Sequence, residues 1–230
     1  EVIFAIKLLQ KGYSIIHAGC LKYRDEGVLV VALRDTGKTS TVLSLLDGKN
    51  FRFMSDDQVI ISDDGRVLCY PRRVHISPYT LTSEILKPSR DIKSRIKRRL
   101  ASSKFEVVFG DILKITMGNL RDVPRELIEE EAKIKKVFVL SGGYEADGVR
   151  ELDKDEVAKR ILVNTLEIYN LFGIYSLNFY YQLFDFDIFS IFDKQRQIVK
   201  SSLRSAECYE IRTNNVEKYP KMVRKVIMEA

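Results

Sequence analysis

Gly37, Lys38 and Thr39 follow Ala32-Leu33-Arg34-Asp35-Thr36 and precede Ser40. Gly-Lys-Thr is the ending of the G-x-x-x-x-G-K-[ST] pattern, with Ala32 where the first glycine would stand. These residue types suit a dense anion. Backbone N–H groups at a helix start can surround a phosphate, and the helix dipole favours it. Gly37 would let the backbone come close, and Lys38 would bring a mobile charge to the outer phosphates of ATP or another nucleoside triphosphate. Thr39 would offer its hydroxyl to Mg²⁺, which keeps several waters and needs few protein ligands. The nucleotide-binding set is therefore Asp35, Thr36, Gly37, Lys38, Thr39 and Ser40. Asp35 takes a loop position where many such proteins carry glycine. Asp tolerates left-handed backbone, but its carboxylate must turn outward or pair, for instance with Arg34. The plainer alternative is an ordinary strand-to-helix turn with a capping threonine.

A second group follows. Phe51-Arg52-Phe53-Met54 reads as a strand that closes on Ser55-Asp56-Asp57. Adjacent carboxylates at a strand end can divide labour, one serving Mg²⁺ and the other taking a proton from an attacking hydroxyl. The alternative is a solvated acidic turn, the better description of Asp63-Asp64 because Gly65 follows it. Arg72 and Arg73, in Tyr70-Pro71-Arg72-Arg73-Val74-His75, form a bend that could clamp a phosphoryl group or an anionic acceptor, or could be a charged turn. His75 reads as structural.

These residues need elements to hold them. Gly27-Val28-Leu29-Val30-Val31 is an apolar strand ahead of the loop, and Val42-Leu43-Ser44-Leu45-Leu46 continues a helix behind it. Gln58 to Ile61 and Val67 to Tyr70 read as further strands. The charged run Arg125 to Lys136 is expected to be a surface helix, followed by a buried strand, Val137 to Leu140. Ser141-Gly142-Gly143-Tyr144 is a turn that could also line a nucleotide base. Glu156 to Phe172 is expected to be a helix with Val157, Ile161, Leu162 and Leu166 inward. The aromatic run Phe179 to Phe192 reads as core or as an oligomer interface. Eight basic residues from Lys87 to Lys104 accompany Ile92, Ile96 and Leu100 at i, i+4 and i+8, the pattern of a docked amphipathic helix. An acidic or phosphorylated substrate ranks ahead of nucleic acid as its target, since no nucleic-acid fold signature accompanies it.

The chain has 230 residues, 45% hydrophobic and 30% charged, with a net charge of +6. That fits a single α/β domain spanning residues 1–230. No apolar run reaches membrane-span length, so no membrane is expected. The N-terminus has no signal-peptide layout and reads as a strand or helix already inside a domain. Three scattered cysteines, Cys20, Cys69 and Cys208, suit a reducing cytoplasm. Abundant Lys, Arg, Glu and Ile without Trp points to a thermophile.

Taken in order, His17-Ala18-Gly19, Gly27 to Val31, the Gly-Lys-Thr loop and Ser55-Asp56-Asp57 resemble the catalytic domain of the HPr kinase/phosphorylase family. The resemblance is nearer to the broader HPr-kinase-related set, which shares a core with ATP-dependent phosphoenolpyruvate carboxykinase. It is clearest over residues 14–75 and weaker beyond. It implies a P-loop core with a mixed β-sheet and flanking helices, and phosphoryl transfer from a nucleotide to a hydroxyl. It carries Gly37, Lys38 and Thr39 onto the phosphate and Mg²⁺ positions. Asp56 and Asp57 fall on the acidic pair, Asp56 toward the metal and Asp57 as base. His17 falls near the transferred phosphoryl group, though it also reads as an ordinary strand residue. Ala32 and Asp35 depart from family glycines. The segment for reversing HPr phosphorylation and the sensor domain are not found, so neither phosphorylase activity nor the HPr substrate carries over. The expectation is an ATP-dependent, Mg²⁺-assisted kinase acting on a hydroxyl of a protein serine or small molecule, with a homo-oligomer as a further expectation. A nucleotide hydrolase or switch, and a degenerate nucleotide-binding scaffold, are the alternatives.

Overall fold

A computed structural model describes residues 2–70, 74–76, 119–121, 123–166, 181–182 and 187–229. The described residues form a mixed α/β fold. Among the described residues a nine-stranded mixed sheet carries five α-helices, and β7 (Val74–Ile76) pairs with β8 (Asn119–Arg121) as a separate ribbon.

The sheet is organised around β9 (Glu131–Ser141). On one side β3 (Glu26–Ala32) runs parallel to it, with Ala32 opposite Leu140. On the other side β6 (Arg66–Leu68) pairs antiparallel with its first residues, and β11 (Glu207–Arg212) pairs parallel with its last. Beyond β3 lie β2 (Gly19–Tyr23) and β4 (Phe51–Ser55), both antiparallel connections. Beyond β6 lie β5 (Val59–Ser62) and β1 (Tyr13–Ile16). The short β10 (Gly148–Glu151) borders β11.

Both faces are covered, so the central strands are apolar on both sides. Val28, Leu29, Val30 and Val31 are all fully buried. Leu29 and Val31 pack toward α1 (Val2–Gln10), α3 (Lys154–Thr165) and α4 (Ile188–Ser202). Val28 and Val30 pack toward α2 (Lys38–Leu45) and α5 (Lys218–Glu229). The ends of β3, β9 and β11 therefore meet at one edge, with the loop of Gly37 above it.

The structure corrects the expected helix at Arg125 to Lys136. Arg125–Leu127 makes only a 3-10 turn after Pro124, and Glu131 onward is strand. From Glu131 to Ile134, exposed and buried residues alternate singly. Charged residues spaced two apart around Ala132 and Ile134 mark a half-buried strand. The high charge of the run suggested a solvated helix, but period 2 decides. The helix expected from Glu156 starts at Lys154, with the Asp153 carboxylate accepting from the N–H groups of Asp155 and Glu156. The N-terminus is helical. Of the aromatic run, Tyr181, Phe189 and Phe192 are exposed, Phe189 at 81%, so these three are not core. Arg72, Arg73 and the basic stretch Lys87 to Lys104 lie outside the described residues.

Candidate functional site

The loop after β3 turns on two residues with left-handed backbone, Asp35 at φ 61° and Gly37 at φ 112°. Asp35 is exposed, which meets the requirement that its carboxylate leave the loop interior. Gly37 is the N-cap of α2 and supplies no side-chain cap, so the first N–H groups of this helix are not satisfied by a capping side chain. A side chain at Gly37 would also collide with Val216, whose Cγ1 would stand 2.7 Å from the added Cβ. Thr36 sits in the loop with its N–H donating to the Leu33 carbonyl at 3.3 Å, and Ser40 is buried in the first turn of α2.

Lys38 and Thr39 open α2 and reach the acidic pair at the end of β4. Lys38 is almost fully buried, and its Nζ donates to Asp57 Oδ1 at 2.9 Å. The Thr39 hydroxyl donates to Asp56 Oδ2 at 2.8 Å. His17, between β1 and β2, places Nε2 3.8 Å from Asp57 Oδ1, and its backbone N–H donates to Thr165 at the end of α3. The structure thus brings together His17, Lys38, Thr39, Asp56 and Asp57 from three separate segments.

The two carboxylates sit in opposite conditions. Asp57 is more than half exposed and holds a left-handed φ of 65°. That conformation costs about 1–2 kcal/mol in a non-glycine residue. Asp56 is buried, and its Oδ1 has no hydrogen-bond partner among the described residues. Burial, then the neighbouring Asp57, push the Asp56 carboxyl up to about 6 against the pull of Lys38 and Thr39.

Orphaned buried oxygens are rare because each one forfeits hydration without replacement. This one lies beside a hydroxyl whose proton already points at Asp56 Oδ2, which leaves the Thr39 lone pairs available. Two hard oxygen donors of this kind fit Mg²⁺, which takes its remaining ligands from phosphate and water. Among the described residues no group of three His, Cys, Asp or Glu side chains is placed to hold a metal by itself.

Gly19 is a part of the site not singled out on its own in the sequence. A Cβ there would stand 2.6 Å from Val42, 3.5 Å from Lys38 Cγ and 3.6 Å from Asp56 Oδ1. Only glycine lets β2 approach α2 this closely, and a glycine inside a strand pattern is the available signal. Arg72 and Arg73, the expected substrate clamp, lie outside the described residues.

No family model matches the chain, and no curated protein matches it. Among solved structures, the HPr(Ser) kinase/phosphatase from Coxiella burnetii is similar over 94% of this chain and 95% of that one, at 10% identity and a TM-score of 0.42. At that distance the chemistry of this chain rests on its own residues.

Proposed function

We propose that the chain is a nucleotide-dependent kinase that transfers a γ-phosphoryl group to a hydroxyl acceptor, built on a phosphate loop like that of the HPr-kinase-related proteins. The observation that carries this reading is the convergence of Lys38 and Thr39, at the start of one helix, on Asp57 and Asp56, at the end of one strand.

The N–H groups at the start of α2 receive the phosphates, and Lys38 moves from Asp57 to the outer phosphate oxygens. That movement ends the Lys38–Asp57 bond, and the Asp57 carboxylate is exposed and able to meet an acceptor. Asp57 takes the proton as the acceptor oxygen forms its bond to γ-phosphorus and the bond to the β-phosphate oxygen breaks, leaving a nucleoside diphosphate. His17, beside Asp57, orients that carboxylate. Asp56 and Thr39 would hold Mg²⁺, which when bound neutralises charge on the phosphoryl oxygens. Most of the rate gain comes from positioning and charge neutralisation.

The test is transfer of label from γ-labelled ATP or GTP to a cell extract split into protein, RNA and small-molecule fractions. Wild type labels one fraction, while Lys38→Ala and Asp57→Asn do not although they fold. Full activity in both variants overturns the mechanism. Release of free phosphate with no labelled acceptor in any fraction replaces it with a hydrolase.

A further inference from the structure

At the end of the sheet where β9, β10 and β11 meet, three arginines converge on one carboxylate. Glu210 of β11 is fully buried. Its Oε2 accepts from Nε of Arg150, on β10, at 2.5 Å and from Nε of Arg212 at 2.7 Å. Its Oε1 accepts from Arg160, on α3, at 2.7 Å and from the Ser141 hydroxyl at 2.8 Å. Burial would raise the Glu210 carboxyl, yet these four donors outweigh it and draw it down to about 2. The carboxylate is therefore charged and has no capacity left.

The arginines do have capacity left. A guanidinium carries five N–H donors in a planar fork. Arg150 and Arg212 spend only Nε on Glu210, and among the described residues neither one's terminal nitrogens make a hydrogen bond. Glu156 stands 3.7 Å from Arg150 as a looser ion pair and is bonded to Arg160. Among the described residues two carboxylates thus face three guanidiniums. The Arg212 plane is held further by the Tyr144 ring, 4.5 Å below its central carbon. The side chains of Arg150, Arg160 and Arg212 are 46%, 31% and 30% exposed, so the cluster reaches solvent while its anchor does not.

The cluster sits at the phosphate-loop end of the sheet. Ala32, the last residue of β3, is level with Leu140, and Ser141 is level with Arg212. Helix α3 carries Arg160 and, one turn and a residue later, the Thr165 that anchors His17. We infer that Arg150 and Arg212, locked in place by Glu210 and assisted by Arg160, form an oxyanion site whose ligand is a carboxylate or phosphate group of the acceptor. Forks fixed through Nε present their two terminal nitrogens together, the geometry that carboxylate and phosphate accept bidentately. The oxyanion site itself needs no nucleotide. Only its assignment to the acceptor rests on the kinase reading.

Calorimetric titration with inorganic phosphate and with succinate, on wild type and on Lys38→Ala, tests the site directly. One or both anions bind Lys38→Ala as they bind wild type, and Arg150→Gln or Arg212→Gln weakens that binding about tenfold or more. Arg150→Lys, which keeps the charge and the fold but loses the fork, falls between. The better-bound anion tells phosphate from carboxylate. If wild type binds neither anion, or if Lys38→Ala abolishes binding that the arginine variants retain, the site is overturned. Preference for neutral acceptors in the transfer reaction overturns the acceptor assignment alone.

Discussion

Asp56 and Glu210 are both carboxylates shut away from water, and their surroundings push them in opposite directions. Asp56 keeps an unbonded oxygen and is pushed up to about 6. Glu210 has all its acceptor capacity used by three arginines and a serine and is drawn down to about 2. Burial is common to both, so partner number makes the difference. One cluster is left with an acceptor to spare and the other with donors to spare. The first is suited to a cation, the second to an anion.

The strongest way to break this contrast is on activity. Asp57→Asn keeps the size and the tolerance of left-handed backbone but cannot take a proton, so transfer should fall about 10²–10⁴-fold. Near-normal turnover in a radiometric assay would remove Asp57 from its role as base. The next effect is on stability. Glu210→Ala leaves three partly exposed guanidiniums without their shared acceptor and should cost about 1–3 kcal/mol, read from urea unfolding. Glu210 also sets an acid limit. Its carboxyl lies lower folded than unfolded, so its contribution is present above the ordinary carboxylate range and is lost as pH falls from about 4.5 toward 2.

Asp56 must behave in the reverse sense. Its folded carboxyl lies above its unfolded value, so its contribution is full below about pH 4 and is lost as pH rises through about 6. Asp56→Asn should then raise stability by about 1–3 kcal/mol near pH 8 and have little effect near pH 4, in melts across that range. An unchanged melting temperature at both pH values would show that the buried charge costs nothing. The smallest effect sharpens the contrast through ligands. Mg²⁺ with pyrophosphate should raise the melting temperature by about 2–6 °C near pH 8 and less near pH 5, where Asp56 is protonated and a poorer ligand. An equal shift at both pH values argues that Asp56 does not hold the ion.

Much of the first cluster is legible in the sequence because it is local. β3, the loop and α2 follow one another, and each carries its own signal: an apolar run, Gly-Lys-Thr, a helical period. Asp56 and Asp57 are visible because they close an apolar strand. What pairs with which carboxylate is not visible, since it depends on how β4 lies against α2. Most of the second cluster escapes sequence reading, where Ser141 and Tyr144 show only as the ends of a turn. Ser141, Arg150, Arg160 and Glu210 come from four segments, and Arg150, Arg160 and Glu210 stand in no motif. Glu210 looks like one more charged residue in a strand until its neighbours remove it from water. The same blindness explains the misread run from Arg125 to Lys136. Its charges dominate by eye, whereas the alternation of Ala132 and Ile134 decides its structure.

The pairing of β3 with β9 has a kinetic consequence. The two strands join segments about 100 residues apart in the chain, and β11 joins β9 from a further distance of about 70. Such closures are entropically demanding and slow compared with helices or hairpins. The hairpin of β2 and β3 and the helix α2 can form early, but the edge where the loop, Ser141 and Arg212 meet exists only after β9 docks. During refolding, phosphate binding and oxyanion binding should therefore appear together, in the last phase that buries the sheet.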